Sequence, residues 1–273
     1  MPELPEVETV VRGLSQAVVG STISRVSLHR KDIRFPFPKG FAKLLAGKRI
    51  VSVLRRAKYI LITLDSGDTV IAHLGMSGRF SVVKKAPKAY ETHDHVVWHL
   101  ADGRELIYND ARRFGFMLLA KAHELHLHPM LAKLGPEPLE KGFSTAYLRA
   151  QLAKRRGPIK PVLMNQELVV GVGNIYASEA LHMAGIHPES ESHKASAKAA
   201  LLIKCIREVL SAAIRSGGSS LRDFVQLSGQ SGYFQHCFHV YDRAGEPCTT
   251  CKTAIVAIRQ AGRSTFFCPK CQN

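Results

Sequence analysis

Long apolar runs are missing from this 273-residue chain. None approaches the roughly 20 residues that cross a bilayer, so no membrane span is predicted. The N-terminus carries acids where a secretory leader carries lysines and an apolar stretch, and a cytoplasmic location is therefore expected. Aromatics are scarce, at 7% with one tryptophan, which excludes extensive base-stacking platforms. Acids are scarce too: 22 Asp and Glu stand against 38 Lys and Arg, a formal net charge of +16. That asymmetry predicts a polyanionic partner held mainly through its phosphates, but it names no reaction. A dinucleotide-binding fold is excluded, because no G-x-G-x-x-G follows a strand and strands do not alternate with helices. There is no internal repeat.

What is present begins at Met1-Pro2-Glu3-Leu4-Pro5-Glu6. Proline is small enough for the initiator methionine to be removed, which would leave Pro2 as a free secondary amine. An α-amino group titrates near ~8 against ~10.4 for lysine, so far more of it is neutral and nucleophilic at pH 7. Attack on a sugar C1′ would give a cationic iminium with no N–H proton to lose, an electron sink. The plainer reading is a helix start. Pro5 suits a first turn, Glu3, Glu6 and Glu8 suit its dipole, and Leu4, Val7, Val10, Val11, Leu14 and Val18 recur at helical spacing.

After this helix the pattern predicts strands at Thr22–Leu28, Arg49–Leu54, Tyr59–Leu64, Thr69–Leu74, His95–Leu100, Glu105–Tyr108 and Phe114–Ala120. Lys84–Thr92 is polar and lysine-rich and reads as a loop. Leu134-Gly135-Pro136-Glu137-Pro138 interrupts any regular element and marks a domain boundary. Beyond it, helices are predicted at Ser144–Leu152, Lys160–Gln166, Asn174–Ala184, Ser196–Ser216 and Leu221–Leu227. The expected class is α+β with two domains, a helix plus β-sandwich followed by a helical domain with a terminal β-hairpin. The expected division is 1–134, a linker at 135–143, a helical DNA-binding part at 144–234 and a zinc hairpin at 235–273.

Two motifs carry chemistry in the second half. Cys248-x-x-Cys251 and Cys268-x-x-Cys271 place four thiolates for one tetrahedral Zn²⁺ with no open position, so the metal is expected to be structural. Two disulfides are the alternative, which a reducing compartment disfavours. Cys205 and Cys237 read as core or incidental. A hairpin this small is expected to have no core of its own and to present Lys252, Arg259 and Arg263, with Arg263 near the Gly262 tip meeting a nucleic-acid backbone. Gly171-Val172-Gly173-Asn174 begins a helix whose free N–H groups could take a phosphate, with Asn174 expected as its cap.

Taken together, Pro2 through Thr9, Arg55 through Tyr59, His73 through Gly78, Arg112 through Gly115, Gly171 through Glu179 and the zinc hairpin resemble the bacterial formamidopyrimidine-DNA glycosylases over the whole chain. Leu4 favours this branch over the related endonuclease VIII family, which begins Pro-Glu-Gly-Pro-Glu. The resemblance implies a helix-two-turns-helix motif and a base-excision repair enzyme that removes oxidised purines such as 8-oxoguanine from duplex DNA. By resemblance Pro2 attacks C1′, the base leaves, and β- then δ-elimination cuts the strand. Glu3 is implied as the general acid at the sugar ring oxygen, Glu6 as a support of the terminus, and Lys58 as a phosphate contact assisting the second elimination. Base flipping leaves a hole that Met76, Arg112 and Phe114 would fill; from the residues alone, Met76 and Phe114 read as core. His73, Lys58, Asn174 and Arg263 match a phosphate clamp, Lys160 a lysine handling the lesion strand, and Gly217–Gly232 a lid. A monomer in the bacterial cytoplasm, associated with the nucleoid, is implied.

Asn165, Asp242 and Ser264 depart from the family pattern, which usually has an acid at the first position and glycine at the other two. Two further readings stay open at this point, a non-catalytic damaged-DNA-binding protein on the same scaffold and a glycosylase for oxidised pyrimidines.

Overall fold

A computed structural model describes residues 1–220, 227 and 232–272. The chain divides into two compact units, Met1–Ala132 with Gly217–Gly232, and Lys133–Ser216 with Tyr233–Asn273. Among the described residues no helix is long and apolar enough to cross a membrane.

The first unit opens with α1, Leu4–Val18, whose predicted apolar face is buried along its whole length. Among the described residues eight strands follow: β1 (Ile23–Leu28), β2 (Ile50–Arg56), β3 (Tyr59–Leu64), β4 (Thr69–His73), β5 (Arg79–Val83), β6 (Asp94–Leu100), β7 (Glu105–Asn109) and β8 (Phe116–Ala120). They form two antiparallel four-stranded sheets ordered β1-β6-β7-β5 and β2-β3-β4-β8. Strand β3 alternates half-buried and buried side chains, as expected when one face meets a core. That core joins Val7, Val10 and Leu14 of α1 to Ile23, Trp98 and Leu106 of one sheet and Ile60, Ile62 and Val70 of the other. The expected helix and sandwich are thus present.

Two elements of this unit carried too little pattern to be predicted. The short helix α2 is Phe41–Leu45, and β5 is only five residues long, beginning with an exposed arginine. Lys84–Thr92 forms no regular element, in agreement with its composition.

The second unit holds α3 (Thr145–Ala153), α4 (Ile159–Leu163), α5 (Asn174–Met183), α6 (Ser192–Ala195) and α7 (Ala199–Arg215), then the hairpin β9 (Val256–Gln260) and β10 (Arg263–Phe267). Ser144 caps α3 by accepting from the Tyr147 N–H at 3.1 Å. Helix α7 buries Leu202, Ile206, Val209 and Leu210 on one face. The helix expected at Leu221–Leu227 lies, except for Leu227, outside the described residues. Asn174 corrects one expectation. Gly173 is the cap, in extended conformation, and Asn174 is the first helical residue, so its side chain is free to turn sideways instead of closing the helix end.

Candidate active site and nucleic-acid interface

In the first unit the start of α1 is fixed by Glu6. Its Oε2 accepts from the Glu3 N–H at 2.9 Å, half of a capping box, while its Oε1 accepts from the Ser219 N–H and Oγ–H at 2.9 and 3.0 Å. Pro2, Glu3 and Glu6 are all buried, and Met1 ahead of them is 58% exposed. Ser219 comes from the run expected to be a lid; apart from Gly217–Ser220, Leu227 and Gly232, that run lies outside the described residues. Gly218 sits at φ +81, where a Cβ would stand 3.2 Å from the Glu6 side chain, so glycine is required for this approach.

Lys58 is placed by the tight turn between β2 and β3. Ala57 in that turn has φ +54, a conformation costly for a residue with a Cβ. Arg55 holds it there, donating through Nη1 to the Ala57 carbonyl at 3.1 Å and through Nε to Glu8 of α1 at 2.9 Å. Burial pushes the Glu8 carboxyl up, but Arg12 and Arg55 outweigh it and hold it below its ordinary value. A chain of α1, Glu8, Arg55 and Ala57 thus anchors Lys58, which is itself buried.

His73, at the end of β4, reports what surrounds it. Burial, then the positive charges of Lys58, Arg34 and the N-terminal amine, push its pKa down to about 4, with Asp110 opposing. The ring is neutral. Its Nδ1 accepts from the Gly75 N–H at 2.9 Å, which leaves the proton on Nε2 as a donor. It stacks on Phe116 at 5.2 Å.

Met76, Arg112 and Phe114 are brought together. They line one open depression of about 700 Å³ with Met1, Arg30 and Arg34. The Arg112 guanidinium lies 5.0 Å from the Phe114 ring centre. Phe114 is 45% exposed because β8 begins at Phe116, two residues later than expected, so the core reading of Phe114 is corrected.

The residue that shapes this depression was not singled out in the sequence. Asp110 is fully buried; its Oδ1 accepts from Ser77 Oγ at 2.6 Å, and its Oδ2 from the Gly115 N–H at 2.8 Å and the Tyr108 hydroxyl at 3.3 Å. Ser77 Oγ in turn accepts from the Arg112 N–H at 3.0 Å. Burial and Asp110 keep the Tyr108 phenol protonated far above its ordinary range, so it remains a donor. One carboxylate therefore ties the Met76 loop to the Arg112–Phe114 loop. Between them Gly75 (φ +63) and Gly115 approach so closely that a Cβ on Gly75 would stand 2.4 Å from the Gly115 nitrogen.

In the second unit Lys160 is 1% exposed. Its Nζ donates to Asn174 Oδ1 at 2.6 Å, Thr265 Oγ1 at 2.7 Å and the Ser264 carbonyl at 3.3 Å. The Asn174 amide donates to the Ser264 carbonyl at 2.9 Å. Lys160, Asn174 and the hairpin strand are thus one connected group, and Lys160 joins Arg263 in lining a small cavity of about 110 Å³. The hairpin turns at Ala261 and Gly262, both with positive φ, and presents an exposed Arg263 as expected.

The departures from the family pattern find physical accommodation. Asp242 has φ +60, which accounts for glycine being usual there and which Asp tolerates better than most residues. Ser264 pairs with Arg259 within the ladder, a strand position that accepts a side chain. Asn165 Oδ1 accepts from the Glu167 N–H at 2.9 Å in a local turn that needs no charge.

The four cysteine sulfurs lie within 4.8 Å of one another, with Cys248 and Cys271 Sγ at 3.9 Å and Cys251 and Cys268 Sγ at 3.4 Å. Tetrahedral Zn²⁺ with bonds of about 2.3 Å needs sulfurs roughly 3.8 Å apart, so the donor set fits one structural zinc. The finger does have a small core, contrary to expectation: Val240, Ile255 and Phe266 pack with Cys248 and Cys268, because residues before the first knuckle fold back onto the hairpin. That segment is held by buried Glu179 of α5, which accepts from the N–H groups of His239, Val240 and Tyr241 and from His239 Nδ1 at 2.9 to 3.1 Å. Burial alone would raise the Glu179 carboxyl; these donors overcome it and hold it low, while the bond to Glu179 raises His239.

Sheets, helices and a tetrathiolate hairpin of this kind define a class, the zinc-finger DNA glycosylases of helix-two-turns-helix architecture. Residues 1–117 match the formamidopyrimidine-DNA glycosylase N-terminal domain, 134–225 the formamidopyrimidine-DNA glycosylase H2TH domain, and 245–273 the zinc finger found in FPG and IleRS. Formamidopyrimidine-DNA glycosylases of Azorhizobium caulinodans and Dinoroseobacter shibae are 49% and 50% identical, each covering all of both chains. The Lactococcus lactis Fpg in complex with abasic-site DNA superposes with a TM-score of 0.92 at 38% identity, covering 99% of each chain. The Fpg protein of Thermus thermophilus gives 0.88 at 38%, covering 99% of this chain and 98% of that one. The chain belongs to the formamidopyrimidine-DNA glycosylase family.

Proposed function

We propose that this enzyme excises oxidised purines from duplex DNA and cuts the strand by β,δ-elimination, using the amine of Pro2 freed by removal of Met1. The observation that carries the reading is the gathering of cationic charge around His73, where Lys58 and Arg34, with the Met1 amine in the unprocessed chain, act on one buried neutral ring. A phosphodiester with its anionic oxygens is the ligand such a cluster suits, and His73 Nε2–H supplies a neutral donor beside the cations. In this reading Pro2 attacks C1′ as the base departs, and Glu3 supplies the proton to the sugar ring oxygen. Glu6 positions the terminus through the Glu3 amide and Ser219.

Met76 and Phe114 would enter the gap left by the flipped base, with Arg112 donating to the orphaned cytosine. Asn174 and Arg263 would hold phosphates from the second unit, and Lys160 supports them by holding Asn174 against the Ser264 carbonyl. Formamidopyrimidine and abasic-site DNA in the complexes of relatives support the substrate class. The division into a sandwich domain at 1–134, a helical domain at 144–234 apart from the Gly217–Ser220 segment that joins the first unit, and a zinc hairpin at 235–273, and a monomeric enzyme of the cytoplasm and nucleoid, go with this reading.

The test is excision from duplexes carrying either 8-oxoguanine opposite cytosine or thymine glycol. Faster cleavage of the first, leaving a phosphate at each gap end, is expected. Preference for thymine glycol would move the enzyme to oxidised pyrimidines, and tight binding with no cleavage would make it a binding protein.

A further inference from the structure

We propose that His182 is an outer-shell hydrogen-bond donor to the zinc-binding thiolate of Cys248, and that through this bond α5 sets how tightly the finger holds its metal. His182 lies in the last turn of α5 and is buried, with Nε2 3.6 Å from Cys248 Sγ. Cys248 is itself fully buried, whereas Cys251 and Cys271 are half-buried and can reach water. Four thiolates on a divalent cation leave a double negative charge, and Cys248 carries its share where solvent cannot spread it.

A thiolate only accepts, so Nε2 must carry the ring proton for the contact to be favourable. The other nitrogen agrees with this. Nδ1 is buried and has no hydrogen-bond partner among the described residues, a tolerable place for a lone pair and a costly one for an N–H. The ring is held in place by His239, stacked at 5.6 Å and 24°, which Glu179 fixes from the same helix. Helix α5 therefore meets the hairpin region at three levels: Asn174 at the Ser264 carbonyl, Glu179 at residues 239–241, and His182 at the metal thiolate. A side chain present only to fill space would be better apolar, since an aromatic ring without nitrogen would leave nothing unsatisfied.

The experiment uses the full-length zinc-loaded protein, with one zinc per chain confirmed first, and compares His182→Phe with His182→Gln. Phenylalanine keeps the ring and removes the donor. Glutamine loses the ring, but its amide N–H₂ can occupy the Nε2 position. Competition against a chromogenic chelator is expected to show zinc held about 10-fold less tightly in His182→Phe, the low end for loss of an outer-shell partner, with His182→Gln recovering most of it. In the cobalt-substituted proteins, the sulfur-to-metal charge-transfer band should move to lower energy in His182→Phe alone, a shift that a change in packing does not produce. A His182→Phe protein isolated without zinc, when the wild type and His182→Gln retain it, would support the proposal. Equal zinc affinity and an unchanged band in His182→Phe would overturn it, as would equal weakening in both variants.

Discussion

Replacing Asp110 by asparagine tests whether one buried carboxylate builds the depression that holds Met76, Arg112 and Phe114. The carboxylate accepts on both oxygens, from Ser77 on one side and from Gly115 and Tyr108 on the other. An amide can accept on only one side. Facing its oxygen to Gly115 and Tyr108 sets its N–H₂ against Ser77 Oγ, so that hydroxyl must turn its proton away and accept where it had donated to a carboxylate; the reverse sets two N–H donors against each other at 2.8 Å. The milder choice forfeits one bond to a charged acceptor, and the expected loss is about 2 to 3 kcal/mol. Trp98, the chain's one tryptophan, is buried in the sandwich core, so its fluorescence reports unfolding of this unit alone. With a urea dependence of about 2 kcal/mol per molar, the midpoint should fall by roughly 1 to 1.5 M. The exposed Phe114 and Arg112 lose their shared anchor at the same time, so affinity for lesion duplex should fall as well. A Ser77→Ala control should lose about 1 kcal/mol, since the lost bond is partly offset by removal of the hydroxyl itself. An unchanged midpoint in Asp110→Asn would show that Asp110 does not hold the two loops together.

His73 should impose a pH dependence on the same transition. Its folded pKa of about 4 lies below the ordinary 6.5, so between these values the unfolded chain binds a proton that the folded one refuses. Its contribution is complete above pH 6.5 and is lost as pH falls toward 4, by up to about 3 kcal/mol; a His73→Gln protein whose Trp98 transition shows the same pH dependence as wild type would contradict this. Chelation of zinc should abolish DNA binding while the Trp98 transition stays in place, and coincident loss would show that the finger supports the sandwich. Arg263→Ala should weaken binding to an abasic-site duplex and lower the salt slope by about one, whereas an unaltered slope would remove Arg263 from the phosphate contacts.

What the sequence reveals here depends on how local each cause is. The four cysteines are legible because zinc imposes its spacing on the chain, and α1 is legible because its buried face repeats every turn. Asp110 is not, since an aspartate in Tyr-Asn-Asp-Ala becomes meaningful only when folding brings Ser77, 33 residues away, to its oxygen. Lys160 is placed in the sequence by resemblance alone, and its structural role becomes visible only when its amine is seen enclosed by Asn174 and Thr265, the latter 105 residues distant. Strand β5 fails for a different reason, being short and running directly into a lysine-rich loop. Pro2 lies between these cases. The reactivity proposed for it is readable from the residue itself, but Glu6 and Ser219, which fix the Glu3 amide beside it, come from opposite ends of the first unit's sequence.

The proposed chemistry turns on the amine of residue 2, which would form the covalent intermediate. Borohydride reduction during reaction with a duplex containing 8-oxoguanine opposite cytosine, followed by peptide mapping, tests it directly. The expected result is one protein–DNA adduct on Pro2 in a chain lacking Met1, and none when an N-terminal extension blocks that nitrogen. An adduct on a lysine, or full trapping and excision by the blocked protein, would contradict the account.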